Sequence, residues 1–302
     1  MAQSISRTSA VSLEQFHLGT IKTRRWTTAR IILRNPTSLA GLLIILLMIV
    51  AAAIAPLVAP YPPNEVHIRD KVSPPSSTYL FGTDAFGRDI WSRLLYGARI
   101  SLFLSVAGVL LATAIGTIIG AMAGFGRRWL DEVLMRIMDI LMAFPYIVLA
   151  IALIAVVGPS LRNIVLVVAF TRIPQFARVA RGAVLVLKSA EYVVAARTVG
   201  VSETRILLRH VLPNIVSPII VLVSLSMATA ILTESSMSFL GLGVQPPTAS
   251  WGTMIGDGRN YISDGLWIST VPGLTISLTI LGFNLLGDAL RDALDPKMRS
   301  RV

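Results

Sequence analysis

Residues 188–213, KSAEYVVAARTVGVSETRILLRHVLP, decide how this chain is organised. They form a polar, basic, helix-forming stretch between two apolar runs, with Gly200 at the middle and Leu212-Pro213 at the end. The spacing predicts a helix over 188–199 with Tyr192, Ala195, Ala196 and Val199 on one side, and small residues at 195 and 196 let a partner approach closely. Gly200 suits the left-handed residue that ends a helix, and Ser202 suits the N-cap of a second helix over 203–211 that leads to Pro213. Two short helices meeting at a fixed angle make a rigid projection. On one face of a bilayer such a projection is expected to dock a partner; composition alone reads it equally well as a solvated loop.

The flanking sequence supplies the bilayer. Of the 302 residues, 54% are hydrophobic and 14% charged, with a mean hydropathy of +0.72; soluble domains carry about 25% charged residues. Charge-free stretches cover 35–64, 100–126, 140–161, 210–233 and 265–287. Each meets the roughly 20 residues that about 30 Å of hydrocarbon requires. A sixth apolar segment, 161–180, is interrupted by Arg172 and Pro174. These segments predict an all-α integral membrane protein with six transmembrane helices near 39–60, 100–122, 133–157, 162–180, 214–236 and 268–288. The alternative is five, with 161–180 lying at the interface. Gly116, Gly120 and Gly124, spaced by four, put a small-residue stripe on the second span, where another helix can pack closely. Residues 235–256 are also free of charge, but GLGVQPPTASWG carries two prolines and three glycines and reads as a loop.

Lys and Arg are biased to one side. With the N-terminus inside, the inner segments hold 18 of them and the outer segments 7, so the N-terminus is expected to be cytoplasmic. The domain reading follows: 1–38 is a cytoplasmic N-terminal segment whose stretch 24–34 is an interfacial basic helix, and 39–60 is the first transmembrane helix. Residues 61–99 form an extracytoplasmic loop, 100–288 the transmembrane core with the inner loop 188–213, and 289–302 a cytoplasmic tail. The first apolar run is too long for a signal-peptide core, so it is expected to be retained. The net charge of +11 fits this topology and anionic lipid headgroups, and nothing calls for nucleic acid. The outer segment 237–267 reads as a compact cap with Trp251 and Tyr261 as interfacial aromatics.

There is no cysteine, so disulfide, thiolate-metal and redox chemistry are excluded. No phosphate loop, H-E-x-x-H or G-x-S-x-G occurs, and His17, His67 and His210 are scattered. The chain is not expected to be an enzyme, and no metal site or cofactor is expected. Asp84 and Asp89 read as a turn residue and a solvated helix-start residue, without a third ligand for a metal. Ionisable residues within spans mark functional sites or buried pairs. Mirror counting across the short link between the third and fourth spans sets Asp139 level with Arg178 and Arg181, a structural ion pair near the inner surface. Arg172 lies about 15 Å into its span at 1.5 Å per residue, with no acid opposite. It is expected either to face an aqueous path and meet an anionic group on a cargo, or to snorkel from a displaced span. Glu234 falls at the outer end of the fifth span, where it packs against the outer loops or serves as a gate.

EYVVAARTVG followed by RHVLPN resembles the E-A-A-x-x-x-G…L-P loop of ATP-binding-cassette (ABC) importer permeases. In that family the loop is the coupling helix, seated in a groove of a cytoplasmic ATPase. The resemblance implies that Glu191, Tyr192, Ala195, Ala196, Arg197, Gly200, His210, Leu212 and Pro213 form the ATPase-coupling site. The motif's own Glu falls at Val194, with Glu191 one turn earlier. FGTDAFGRDIWSRLLYGARIS, MRIMDILMAFP, SFLGLGVQPPTASWGTM and FNLLGDALRDALDPK are similar to the C-type permease of dipeptide, oligopeptide and nickel importers, and the likeness runs from about 25 to 298. It implies a type I importer permease in the bacterial cytoplasmic membrane. It also implies a heterodimer with a second permease, two ATPase subunits that hold ATP and Mg, and an extracytoplasmic binding protein that delivers short peptides. Nickel, opine, glutathione or oligosaccharide are alternative cargoes. An ion-coupled secondary transporter is the alternative class, which would show broken helices around coupling-ion ligands.

Overall fold

The structure is a computed structural model that describes residues 35–294; the expected interfacial helix at 24–34 and the end of the tail lie outside the described residues. Ten helices carry the described chain, and its single β-bridge joins Thr83 to Asp89. Helix α1 spans Pro36–Val58, started by Asn35, whose side chain accepts from the amide of Thr37. Helix α2, Ile90–Phe125, begins ten residues before the apolar run because Asp89 caps it, accepting from the Ser92 amide at 2.8 Å. Asp89 is buried, not solvated as the sequence suggested, because the outer loop folds over the helix start.

The expected third span is two helices. α3 (Arg128–Met142) and α4 (Tyr146–Val157) meet at 89° across Ala143–Pro145. Proline removes an amide and pushes the preceding residue, Phe144, out of the helical region. The expected interruption at Pro174 is absent: α5 runs unbroken from Leu161 to Lys188. Its best apolar window is 56% buried, against 22% for α1, so α5 is central and α1 peripheral. That placement removes the interfacial alternative for 161–180. Among the described residues five helices are long and apolar enough to cross a membrane, or six if the bent pair is one span.

α2 and α5 form the principal packing pair. The stripe Gly116, Gly120 and Gly124 lies against Phe176, Ala177, Ala180 and Val184. A side chain on any of the three would meet the α5 backbone, so the backbones approach only because the stripe has no Cβ. After α5 come α6 (Glu191–Thr198) and α7 (Glu203–Ile206). A π-helical turn, Leu207–Val211, joins α7 without a break to α8 (Leu212–Phe239). α8 touches α2, α5 and α10 (Trp267–Leu294), and α10 also packs on α1.

The outer segment is more ordered than its composition suggested. Ser250 and Thr253 form a capping box that starts α9, Trp251–Gly258. Trp251 is fully buried, not interfacial, and its indole N–H donates to the Leu94 carbonyl at 3.1 Å. The loop expected over 235–256 is confined to 240–250, because the preceding helix runs on to Phe239 and the capping box starts another at Trp251.

Candidate functional site

At the end of the helices that the charge bias assigns to the inside, α5 stops at Lys188, whose ammonium donates to the carbonyls of Phe125 (3.1 Å) and Gly124 (3.4 Å). A cation at the C-terminus of α2 satisfies carbonyls that have no helical partner. Helix α6 then begins at Glu191, three residues later than the 188–199 pattern suggested. Fully buried Val193 and partly buried Ala196 pin it to the core. Tyr192, Val194, Ala195 and Val199 are exposed, with Tyr192, Ala195 and Val199 on one side of the helix. The expected face is therefore corrected at one position: Ala196 turns inward, away from Tyr192 and Ala195.

The helix closes as the sequence suggested. The Val201 amide donates to Ala196 O and the Gly200 amide to Arg197 O, the Schellman pair, and Gly200 adopts φ +82°. Ser202 stands at the next N-cap without a capping bond from its side chain. The angle between α6 and α7 is held instead by Arg197, which grips Glu203 with two bonds of 2.6 and 3.0 Å. The expected short helix over 203–211 is not a separate unit. The Leu212 amide bonds Leu207 O, five residues back, so the helix continues into α8 past Pro213, which has no amide to give. Asn214 Nδ2 covers the carbonyl of His210 at 2.6 Å. Leu212 is half-buried in the wall of an apolar cavity of about 540 Å³ with Thr113 and Ile118, while Pro213 is exposed.

Within the helices the ionisable residues separate. Arg178 Nη2 lies 2.5 Å from Asp139 Oδ1, both half exposed. Arg181 does not join them; it holds Asp131 with two bonds of 2.5 and 2.6 Å. Both pairs border a cleft of about 890 Å³ between α3 and α5. Asp131 was missed because mirror counting assumed a straight third span.

Arg172 neither snorkels nor faces open water. It is 6% exposed, its guanidinium stacks 4.1 Å from the Tyr146 ring, Nη2 reaches Thr233 Oγ1 at 3.4 Å, and Nε is buried with no partner. A desolvated cation–π contact contributes about 2 kcal/mol. Tyr146 opens α4, so the break puts its ring beside Arg172. The sequence signal was Phe144-Pro145.

Glu234 is fully buried and does not line a path; it sits among serine hydroxyls between α8 and α9. The outer face also holds a charge network the sequence did not reveal. Asp84 accepts from Arg88 Nε at 2.6 Å, Arg93 Nε lies 3.5 Å away, and both arginines reach Asp257 at 3.2 and 3.9 Å. Asp257 lines an outer cavity of about 400 Å³ with Phe86, Gln245 and Tyr261.

Residues 116–300 match the family described as binding-protein-dependent transport system inner membrane component, and residues 25–75 match the N-terminal TM domain of oligopeptide transport permease C. The chain is 44% identical over 267 residues to the dipeptide transport system permease protein DppC of Alkalihalophilus pseudofirmus, covering 88% of each. It is 43% identical over 272 residues to the di/tripeptide transport system permease protein DppC of Pseudomonas aeruginosa, covering 88% of this chain and 90% of that one. The glutathione transport system permease protein GsiD of Pectobacterium atrosepticum is 45% identical over 269 residues, covering 89% of each. Among solved structures, a chain from inward-facing conformations of the MetNI methionine ABC transporter shares the fold. Its TM-score is 0.56 at 16% identity, over 68% of this chain and 97% of that one.

Proposed function

Because the chain belongs to the family of binding-protein-dependent transport system inner membrane components, we propose that it forms half of an ATP-driven import path for short peptides. It is a multi-pass inner-membrane protein, and the family implies ATPase and binding-protein partners. In this reading two cytoplasmic ATPase subunits hold ATP and Mg, a second, homologous permease completes the path, and anionic lipid meets the basic inner face. The N-terminus is inside, on the strength of the Lys and Arg bias.

The observation that carries the reading is the α6 projection. Its exposed apolar residues stand on a helix closed by Gly200 and tied by Arg197–Glu203 to the start of the 37-residue helix Glu203–Phe239. At 1.5 Å per residue that helix is about 55 Å long, so a push on α6 from the inside moves a rod that ends in the outer cap. With Val194 at the motif's acidic position, Tyr192, Val194 and Ala195 supply apolar contact and exposed Glu191 supplies charge. Peptide cargo is supported by the names of the relatives, which share one chemistry: a short chain with an ammonium and a carboxylate. Arg172, a cation with no acid beside it, suits the carboxylate once Tyr146 moves away.

The test uses the cysteine-free chain. Ala195→Cys, crosslinked in native membranes, is expected to capture an ATPase subunit identifiable by mass spectrometry, with a yield that changes on adding ATP; Ala196→Cys is expected to capture far less. No ATPase at 192, 194, 195 or 199 in a folded protein sinks the reading. Uptake of labelled alanyl-phenylalanine that stops on ATP depletion and survives a protonophore supports peptide cargo; the reverse pattern brings the ion-coupled transporter forward.

A further inference from the structure

Glu234 lies at the crossing of α2, α8 and α9. Ser238 Oγ donates to its Oε1 at 2.8 Å, Ser235 Oγ stands 3.4 Å from Oε2, and the hydroxyls of Ser101 and Ser250 are within hydrogen-bonding reach. Glu234, Ser101 and Ser250 are all fully buried, and no Lys, Arg or His among the described residues forms an ion pair with the carboxyl.

Three of these hydroxyls are themselves oriented. Ser238 Oγ accepts from the Val244 amide at 3.2 Å, Ser101 Oγ from the Trp251 amide at 3.2 Å, and Ser250 Oγ from the Thr253 amide at 3.3 Å. A hydroxyl that accepts from an amide has its proton left to give. Ser238 thus passes a backbone donor through to the carboxyl, while Ser101 and Ser250, whose hydroxyl also lies 3.5 Å from Thr253 Oγ1, stand beside it. The three amides belong to the cap loop, the first residue of α9 and its first turn, while the serines come from α2, α8 and the helix cap. One side chain thus gathers the outer cap onto two spanning helices. Gly252 fits because nothing larger would pass Ser235 and Ser238 beside it.

We infer that Glu234 is a positioning residue for cargo delivery: through Ser238, with Ser101 and Ser250 beside it, its carboxyl group clamps the outer cap, residues 240–261, to α2 and α8 in the shape that receives what the binding protein brings. The inference rests on the importer reading and deepens it. Because α8 is the same rod that α6 moves at the inner surface, the clamp also joins inner coupling to outer reception.

Glu234→Gln places an NH2 donor where hydroxyl donors already converge, with almost no change of volume. Two readouts on the assembled transporter test the inference. Amide hydrogen exchange in nanodiscs is expected to quicken about tenfold at Val244, Trp251 and Thr253, with the α2–α5 contact unchanged. In cells, the half-saturating concentration for labelled alanyl-phenylalanine is expected to rise about tenfold with the maximal rate held within about twofold. A merely structural role lowers the amount of protein and the maximal rate together. Unchanged exchange overturns the clamp, and faster exchange with unchanged half-saturation overturns its part in delivery. Should Glu234→Gln not assemble, Ser250→Ala is read by the same two criteria with exchange taken at Val244 and Trp251 alone, because it also removes the cap on the Thr253 amide. If the unmodified transporter takes up no dipeptide, the peptide reading fails by itself, and the exchange experiment alone decides the clamp.

Discussion

At the scale of single residues, Gly200 and Tyr79 show how one backbone angle or one hydroxyl can decide a local structure. Gly200 has open space around its Cα, so only its φ of +82° demands glycine. Gly200→Ala forces an L-residue into that region at about 1–2 kcal/mol. The expected result is trypsin cleavage at Arg197 and Arg205 several-fold faster than in the parent, with Gly200→Asn in between. On the outer side, Tyr79 is buried and its hydroxyl donates to Asp70 at 2.9 Å. Burial, with the Asp70 bond and charge behind it, pushes the phenol up to about 12. A folded pKa above the unfolded value of 10 contributes stability that is complete below pH 10 and lost as pH rises toward 12. Tyrosinate absorbance on alkaline titration should therefore show one late-titrating phenol, absent in Tyr79→Phe, whose melting is correspondingly flatter across that window.

At the scale of elements, the broken third span and the glycine stripe are the consequential features. Pro145 sets the 89° break by holding Phe144 out of the helix. Pro145→Ala removes that restriction. Spin labels at 133 and 157 should then move from about 25 Å apart toward the roughly 36 Å of a straight helix. An unchanged distance would mean that packing against α5 and α8, not proline, maintains the bend. In the α2–α5 pair, Gly120 faces Ala177 and Ala180, and a larger side chain has nowhere to go. Gly120→Val is expected to cost about 1–3 kcal/mol by forcing the helices apart, read as a lower melting temperature in detergent.

At the scale of the whole molecule, two polar centres join segments that are distant in sequence. Glu234 gathers the cap, and the Asp84–Arg88–Arg93–Asp257 network ties the first outer loop to α9 across 169 residues between Arg88 and Asp257. Both arginines are nearly fully buried, so removing one acid leaves charge without compensation. Asp84→Asn is expected to destabilise by about 3–5 kcal/mol. Adding Arg88→Met should recover part of that loss, because a buried pair removed together costs less than one partner removed alone. Thermal melting of the two variants side by side tests the coupling.

The hydropathy of the chain determined that it is a helical membrane protein, since about 20 apolar residues in sequence have one structural outcome in a bilayer. Local chemistry likewise determined the turn at Gly200, the stripe on α2 and the helical insert at 188–213, because each depends on residues within a turn or two of one another. Asp139 meeting Arg178 could be read by counting along adjacent spans. Only the tertiary structure decided the inward turn of Ala196, the pairing of Arg181 with Asp131, the stacking of Arg172 on Tyr146 and the burial of Glu234 and Trp251. Those outcomes depend on which helix faces are opposed once a span bends and a loop becomes a helix. Apolar periodicity does not encode that, because lipid and protein interior are alike to an aliphatic side chain.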